Sequence, residues 1–470
     1  MSLRAPMLRG GVYLVGREAL GIGVRLAGIV ALTRLLAPAE FGVYAGVAAI
    51  VTVLAYMAQF GTEIFLIRRE DEPSERLYDE TFTFVLASTL SITVLALGAS
   101  VVVEILAGPS TWLDAFRVML IAVPLNALWA PAQARIERAL RFRAMAALEL
   151  GGDVVLYATS VGLTLAGAGL WGPVGGYLAW QAFLLAASYR LARHRPSIVL
   201  SRASAREIAG FGLSFSSASW IERGRELVNP LVVGPVLGPA AVGYVAVALR
   251  LAEALSFVTR ATWRLSIVAF GRVQSDLGRV RRALEEGMVL QVLAGGAVLA
   301  AFSVVADEAV PMVFGERWTP ALEVFPYVAA AYLVMAAFIL HTTLLYVLRR
   351  NRRVAGINAV RLLAQVVLSA ALLPVAGIAG YGIALLASQA TAVLLDREVR
   401  TVLDYRPRQG LTWLAALAPP VFTPFAGLPL ALALWAPFAL LLCLPARRAQ
   451  LAGYVSVVGA AVLRRGAQAA

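Results

Sequence analysis

The stretch ALTRLLAPAEFGVY, residues 31–44, sets the architecture. Its centre, Leu36 to Gly42, bears a proline and a glycine, and the chain on either side is apolar over membrane length. The run before it covers about 10–36 and the run after it 41–67. About 20 apolar residues carry a helix across the hydrocarbon core, so the stretch reads as the bend between an outgoing helix and a returning one. A similar bend recurs 201 residues later, where LGPAAVG (237–243) matches LAPAEFG (36–42) at Leu, Pro, Ala and Gly. Two copies in like orientation imply halves related by an axis along the membrane normal, as in transporters built from parallel repeats. The plain alternative is that proline and glycine are common in any turn.

Working outward, apolar runs fall at 81–107, 113–134, 145–168, 172–192, 211–237, 240–268, 284–306, 321–348, 355–374, 377–396, 411–426 and 428–444. The expected fold is all-α and integral to the membrane, with about fourteen transmembrane helices. The last two runs are short and separated by Pro424, Gly427 and Pro429, so a re-entrant hairpin is the alternative there. The first run is too long for a signal-peptide core and is expected to be retained as the first span. The loops then alternate sharply in charge. Thirty Arg fall on one side, among them Arg68, Arg69, Arg138, Arg193, Arg282, Arg350 and Arg448, and only Arg317 falls on the other. Basic residues of short loops mark the cytoplasmic side. Both termini are therefore expected in the cytoplasm and the number of spans is even.

Composition agrees and narrows the chemistry. Hydrophobic residues make up 60% of the chain, charged residues 15%, and the mean hydropathy is +0.78. A soluble domain carries about 25% charged residues. The net charge of +13 is scattered between apolar runs and forms no continuous face for nucleic acid. Every basic residue is Arg, which excludes a lysine P-loop and Schiff-base chemistry. Cys443 is the single cysteine, so neither an intramolecular disulfide nor a cysteine-rich metal site can form. No cofactor, metal ligand set or catalytic residue is expected. The outer loops are short, the longest being about Asp307–Pro320, which leaves no room for the external domain of a membrane glycan polymerase or ligase.

The opening stretch also carries a family likeness. Ala31, Arg34, Leu36, Pro38, Glu40, Phe41, Gly42 and Tyr44 resemble the A-R-x-L-x-P-x-[DE]-[FY]-G-x-Y signature of Wzx-type oligosaccharide and polysaccharide flippases, members of the MOP (multidrug, oligosaccharidyl-lipid, polysaccharide) transporter superfamily. Leu32 and Thr33 separate Arg34 from Ala31, where the family's Ala and Arg are adjacent. Val236–Tyr244 is similar to the family's turn opening its eighth helix, with Gly243 and Tyr244 adjacent here. The resemblance implies two six-helix lobes around a central cavity plus two peripheral helices. On this chain these are 1–206 (spans one to six), 207–400 (seven to twelve) and 401–446 (thirteen and fourteen), followed by a cytoplasmic tail, 447–470. It also implies movement of a polyprenyl-pyrophosphate-linked oligosaccharide (an O-antigen, exopolysaccharide or capsule repeat unit) across the bacterial cytoplasmic (inner) membrane. Glycan polymerase and chain-length machinery are the implied partners, beside the lipid-linked oligosaccharide and membrane lipids.

Ionisable residues inside spans are costly and point to function. Span one carries Arg17, Glu18 and Arg25; span seven Glu222, Arg223, Arg225 and Glu226; span eight Arg250, Glu253, Arg260 and Arg264 on one helical stripe. Arg outnumbers Glu, and a planar guanidinium suits a pyrophosphate. The expected substrate-binding set is Arg17, Glu18, Arg25, Arg223, Arg225, Arg250, Arg260 and Arg264, with Glu63, Glu222, Glu226 and Glu253 as coupling or gating candidates. The alternative is structural pairing, for example Arg250 with Glu253 or Arg223 with Glu226. Tyr56, Gln59, Asn229, Gln365 and Gln389 could meet sugar hydroxyls or simply join helices, and His341 reads as an interhelical hydrogen-bonder. Asp153 reads as a helix-start carboxylate, and Arg361 as a snorkelling residue. Competing functions are a peptidoglycan lipid-precursor flippase, a drug/cation antiporter, a membrane-embedded glycan polymerase or ligase, and a non-transporting assembly scaffold.

Overall fold

The computed structural model describes residues 4–256, 259, 270 and 276–453, the side chains of 4–19, 214–215 and 217–218 excepted. The described residues form helices and turns with no strand. Helices α1 (Arg4–Leu35) and α2 (Pro38–Ala58) meet at the bend quoted above. Pro38 opens α2, where its missing N–H costs nothing, and Glu40 accepts a hydrogen bond from the Ala37 amide at 3.0 Å. Positive φ at Phe60 and Gly61 breaks α2 from the short α3 (Thr62–Ile67). Helix α4 (Glu75–Ala107) is capped by Ser74. Helices α5 (Thr111–Met119), α6 (Ala122–Ala127) and α7 (Ala130–Arg138) form one interrupted run containing Pro124 and Pro131, which lack amide donors. Helix α8 (Phe142–Leu163) leads through a glycine-bearing bend to α9 (Trp171–Ala192).

Next come α10 (Arg202–Arg223), α11 (Gly234–Leu255), α12 (Leu277–Phe314), α13 (Phe325–Val347), α14 (Asn351–Ser388), α15 (Ala392–Arg400), α16 (Arg408–Leu417) and α17 (Leu428–Cys443). Eight helical stretches among the described residues are long and apolar enough to cross a membrane. Four of them contain a glycine of positive φ that turns the chain: Gly61 (φ 64°) in Pro38–Ile67, Gly167 (φ 92°) in Phe142–Ala168, Gly238 (φ 82°) in Ser219–Leu255 and Gly377 (φ 57°) in Asn351–Arg400. The protein is therefore an all-helical, multi-pass membrane protein. The expected outer loop at Asp307–Pro320 is shorter than the sequence suggests. Helix α12 continues through Asp307 and Glu308 to Phe314 before Gly315 turns the chain.

Two compact units emerge. The first comprises Met1–Val247, Met312–Trp318 and Gln365–Tyr381. One buried cluster sets Val47, Val51 and Ala55 of α2 against Phe116 and Met119 of α5 and Val174 and Tyr177 of α9. The two copies of the repeated bend lie against each other in this unit. A Cβ on Gly42 would stand 1.8 Å from the Pro239 carbonyl oxygen, and one on Gly243 would stand 2.4 Å from the Pro38 carbonyl oxygen. Each glycine packs on the other copy's proline, the exchange a local two-fold axis produces. Trp318 is fully buried between Phe41 and Tyr244 (ring centroids 5.4 and 6.0 Å away) and donates Nε1–H to the Thr33 carbonyl at 2.8 Å. Beside it, Arg34 donates to the carbonyls of Met312 and Val313, while Arg317 donates to those of Thr33 and Arg34. Each Arg thus caps the other segment's helix C-terminus, where carbonyls lack partners.

The second unit comprises Ala248–Pro311, Thr319–Ala364 and Gly382–Ala470. Its α13 is buried along most of its length, from Phe325 through Leu345. Buried His341 shares a hydrogen bond of 2.6 Å with the Tyr405 hydroxyl, in keeping with its expected role.

Candidate substrate site

Span seven is not a continuous helix. Helix α10 ends at Arg223, a 3₁₀ turn covers Gly224–Leu227, and a π-helical turn covers Asn229–Val233 before α11 begins. The break lies inside the helical stretch Ser219–Leu255, which contains an apolar run long enough to cross a membrane. Arg223 is 15 residues from the bend at Gly238, roughly 22 Å at helical rise, hence within a hydrocarbon core about 30 Å thick. Non-helical backbone at that depth is tolerated where protein buries it or water reaches it.

The break gathers the charges of span seven. The Arg223 guanidinium lies over the Tyr56 ring, 4.0 Å from its centroid, and donates to Glu226 at 3.4 Å. Arg225 Nε donates to Gln365 Oε1 at 3.3 Å, and Gln365 Nε2 donates to the Tyr381 hydroxyl at 3.5 Å. Glu222 is exposed, and the Arg223 and Glu226 side chains are 39% and 46% accessible. Charges cannot face lipid at such exposure without a large penalty, so this face meets water. Phe60 stacks edge-on against Trp220 at 5.4 Å and Phe84 at 5.5 Å, forming an aromatic wall near the break. The site thus offers guanidinium donors, carboxylate acceptors and aromatic faces to a polar, anionic ligand.

The other sequence-selected residues are placed elsewhere. Arg25 pairs with Asp153 of α8 at 2.8 Å. Asp153 lies three turns inside α8, so the helix-start reading of that carboxylate gives way to an interhelical ion pair. Glu63 accepts from Gln133 Nε2 at 3.1 Å, and the same amide donates to Glu137 at 3.0 Å. Arg69, two residues beyond the end of α3, pairs with Glu207 of α10. In the second unit, Arg250 pairs with Glu253 at 3.1 Å, the Arg being 64% exposed. Arg260 and Arg264 lie outside the described residues, as do the side chains of Arg17 and Glu18. Gln59 donates to Asn126, Asn229 to the Val242 carbonyl and Gln389 to the Leu385 carbonyl, so all three join protein to protein. Arg361 is buried and donates to Thr391 at 2.9 Å, in place of the expected snorkelling. Sequence reasoning missed Tyr381, Gln133 and Glu137, which carry no signal until packing brings them to Arg225 and Glu63.

Residues 31–323 match the family model described as polysaccharide biosynthesis protein. The chain belongs to that family. As a polysaccharide biosynthesis protein it also resembles the succinoglycan biosynthesis transport protein ExoT of Rhizobium meliloti (strain 1021), at 25% identity over 323 residues. That match covers 65% of this chain and 62% of ExoT, so the chain spans less than two thirds of its relative's length. Among solved structures, the lipid II flippase MurJ in an inward-closed conformation superposes with a TM-score of 0.70 at 10% identity, over 92% of this chain and 98% of MurJ. An inward-facing multidrug resistance MATE transporter of the MOP superfamily gives 0.61 at 14% identity, over 80% and 94% of the two chains. These likenesses establish the fold as that of MOP-superfamily transporters.

Proposed function

We propose that this protein is a flippase that moves polyprenyl-pyrophosphate-linked oligosaccharide across the bacterial cytoplasmic membrane, with both termini in the cytoplasm. It crosses the membrane fourteen times and works by alternating access between lobes 1–206 and 207–400. Spans thirteen and fourteen (401–446) stand at the periphery, and residues 447–470 form the tail. It performs no covalent chemistry. The observation that carries this reading is the broken seventh span, which holds Arg223 and Arg225 beside Tyr56 and Gln365, with Arg223 and Glu226 too accessible to face lipid. Family membership supplies the pathway, and the ExoT likeness favours a glycan-lipid cargo.

Guanidinium groups lower the desolvation barrier of the pyrophosphate, while the prenyl chain stays in lipid. Arg250 belongs to the same substrate set, with Arg17, Glu18, Arg25, Arg260 and Arg264. Glu63, Glu222, Glu226 and Glu253 compete for the guanidiniums as the lobes move. The exposed Arg250–Glu253 pair contributes at most about 1 kcal/mol to stability, so replacing Arg250 should leave the fold intact.

The test is complementation of surface glycan in a strain lacking the protein, read beside its membrane level. Arg223→Ala, Arg225→Ala and Arg250→Ala should each lower export at least tenfold at normal protein level. Arg→Lys should rescue only in part, because a point charge replaces a fork. Normal export by the double variant Arg250→Ala/Glu253→Ala would make that pair structural. Normal export by all three single variants would remove the proposal.

A further inference from the structure

A second cluster of guanidiniums lies far along the chain from those of spans one, seven and eight. The loop joining α15 to α16 forms a small pocket of about 160 Å³ lined by Arg400, Arg406, Pro407, Arg408 and Leu411. It is built from behind. Arg400 Nε donates to Asp396 at 2.7 Å, and its guanidinium stands 5.7 Å from the centroid of the Tyr405 ring. Tyr405 is itself buried and donates to Asp396. Burial and the neighbouring carboxylate push the Tyr405 phenol above its ordinary range, so it holds its proton as that donor. The Arg406 amide donates to Glu285 at 3.0 Å, which fixes the loop backbone. Gln409, next to Arg408, accepts from Gln450, which in turn accepts from Trp413 and Arg447.

The front of the pocket is strongly positive. The Arg406 and Arg408 side chains are exposed, and among the described residues no carboxylate lies within ion-pairing distance of either. Asp404, also in this loop, is exposed and pairs with neither. The first amides of α16 open beside them without intrahelical acceptors. The apolar stretch that includes α14 and α15 stops at Arg400, and the next apolar run starts at about Leu411. The pocket therefore sits at the edge of the hydrocarbon, at the level of lipid phosphates, with half-exposed Leu411 on its wall. Basic pockets at helix ends on the cytoplasmic side suit anionic headgroups.

We propose that this pocket binds the phosphate of an anionic membrane lipid. Arg406 and Arg408 recognise the phosphate, and Arg400 is a pre-set third donor. The site is independent of the transported cargo and stands or falls separately from it. The experiment uses the full chain in phosphatidylcholine nanodiscs supplemented with phosphatidylglycerol, with retained lipid counted by native mass spectrometry. Wild-type protein should retain phosphatidylglycerol over phosphatidylcholine. Arg406→Gln/Arg408→Gln should lower retention at least tenfold, since neither side chain holds the fold. Arg352→Gln/Arg353→Gln, an exposed pair of equal charge, should leave it unchanged. Three results would overturn the proposal: undiminished retention in the first variant, equal loss in the second, or displacement of the lipid by millimolar inorganic phosphate, which would mark a free-anion site.

Discussion

Arg25 and Asp153 are 128 residues apart and meet at 2.8 Å, while Arg250 and Glu253 are three apart and meet at 3.1 Å. The second pair was legible in the sequence because helical geometry alone makes i,i+3 residues neighbours; Arg223–Glu226 is the same case. The first pair was not, since it depends on which two spans pack together. Exposure also separates them. Asp153 is only 13% accessible, and removing a guanidinium that compensates a mostly buried carboxylate costs stability. Arg25→Ala should therefore destabilise the protein by about 2–3 kcal/mol, seen as lower membrane abundance and a lower melting temperature in detergent. Arg25→Ala/Asp153→Ala should recover most of that loss. If the double variant is no more stable than the single one, the pair is not what holds α1 to α8.

Among elements, the glycines that bend the helices were readable where they stand beside proline, as at Gly238–Pro239 and, near Pro374, at Gly377. The reach of α12 was not. Asp307 and Glu308 read as loop residues, yet a helix of 38 residues is roughly 57 Å long and outruns a 30 Å core, so charges at its end can stand in water. The break in span seven was equally hidden, because its charges fix no backbone conformation. Conformation and space can be separated by experiment. Gly238 has φ 82° and nothing within 4 Å of an added Cβ. Gly238→Ala should thus cost about 1–3 kcal/mol through backbone strain alone. Gly98, inside α4 and equally unobstructed, should tolerate Ala or gain about 0.5–1 kcal/mol. Thermal unfolding of both in one detergent compares them. Equal behaviour would deny the strain at Gly238.

At the scale of the whole molecule, composition and run length were enough for an all-helical membrane protein, and Arg asymmetry for its expected orientation. The meeting of the repeated bends needed three dimensions. Orientation is tested in a Cys443→Ser background by placing cysteine at Ser74, Ser204 or Asn351. All three should resist membrane-impermeant thiol reagents in intact cells, and labelling of all three would invert the topology. The bends make a further demand. Gly42→Ala or Gly243→Ala should force the outer ends of the helices apart. A cysteine at Ala240 should then react from outside several-fold faster than in the parent; an unchanged rate would mean that the bends do not separate.

What an added methyl strikes at this seam is a peptide oxygen, the Pro239 carbonyl for Gly42 and the Pro38 carbonyl for Gly243. Every amino acid carries that oxygen. No substitution in the facing bend can make room by shrinking, as a smaller side chain would in an ordinary core. Damage at either glycine should be incurable from the opposite copy, and a suppressor screen of Gly42→Ala should return changes that move whole helices, never a replacement at position 239 or 243. The two halves are bound here by something heredity cannot renegotiate one residue at a time.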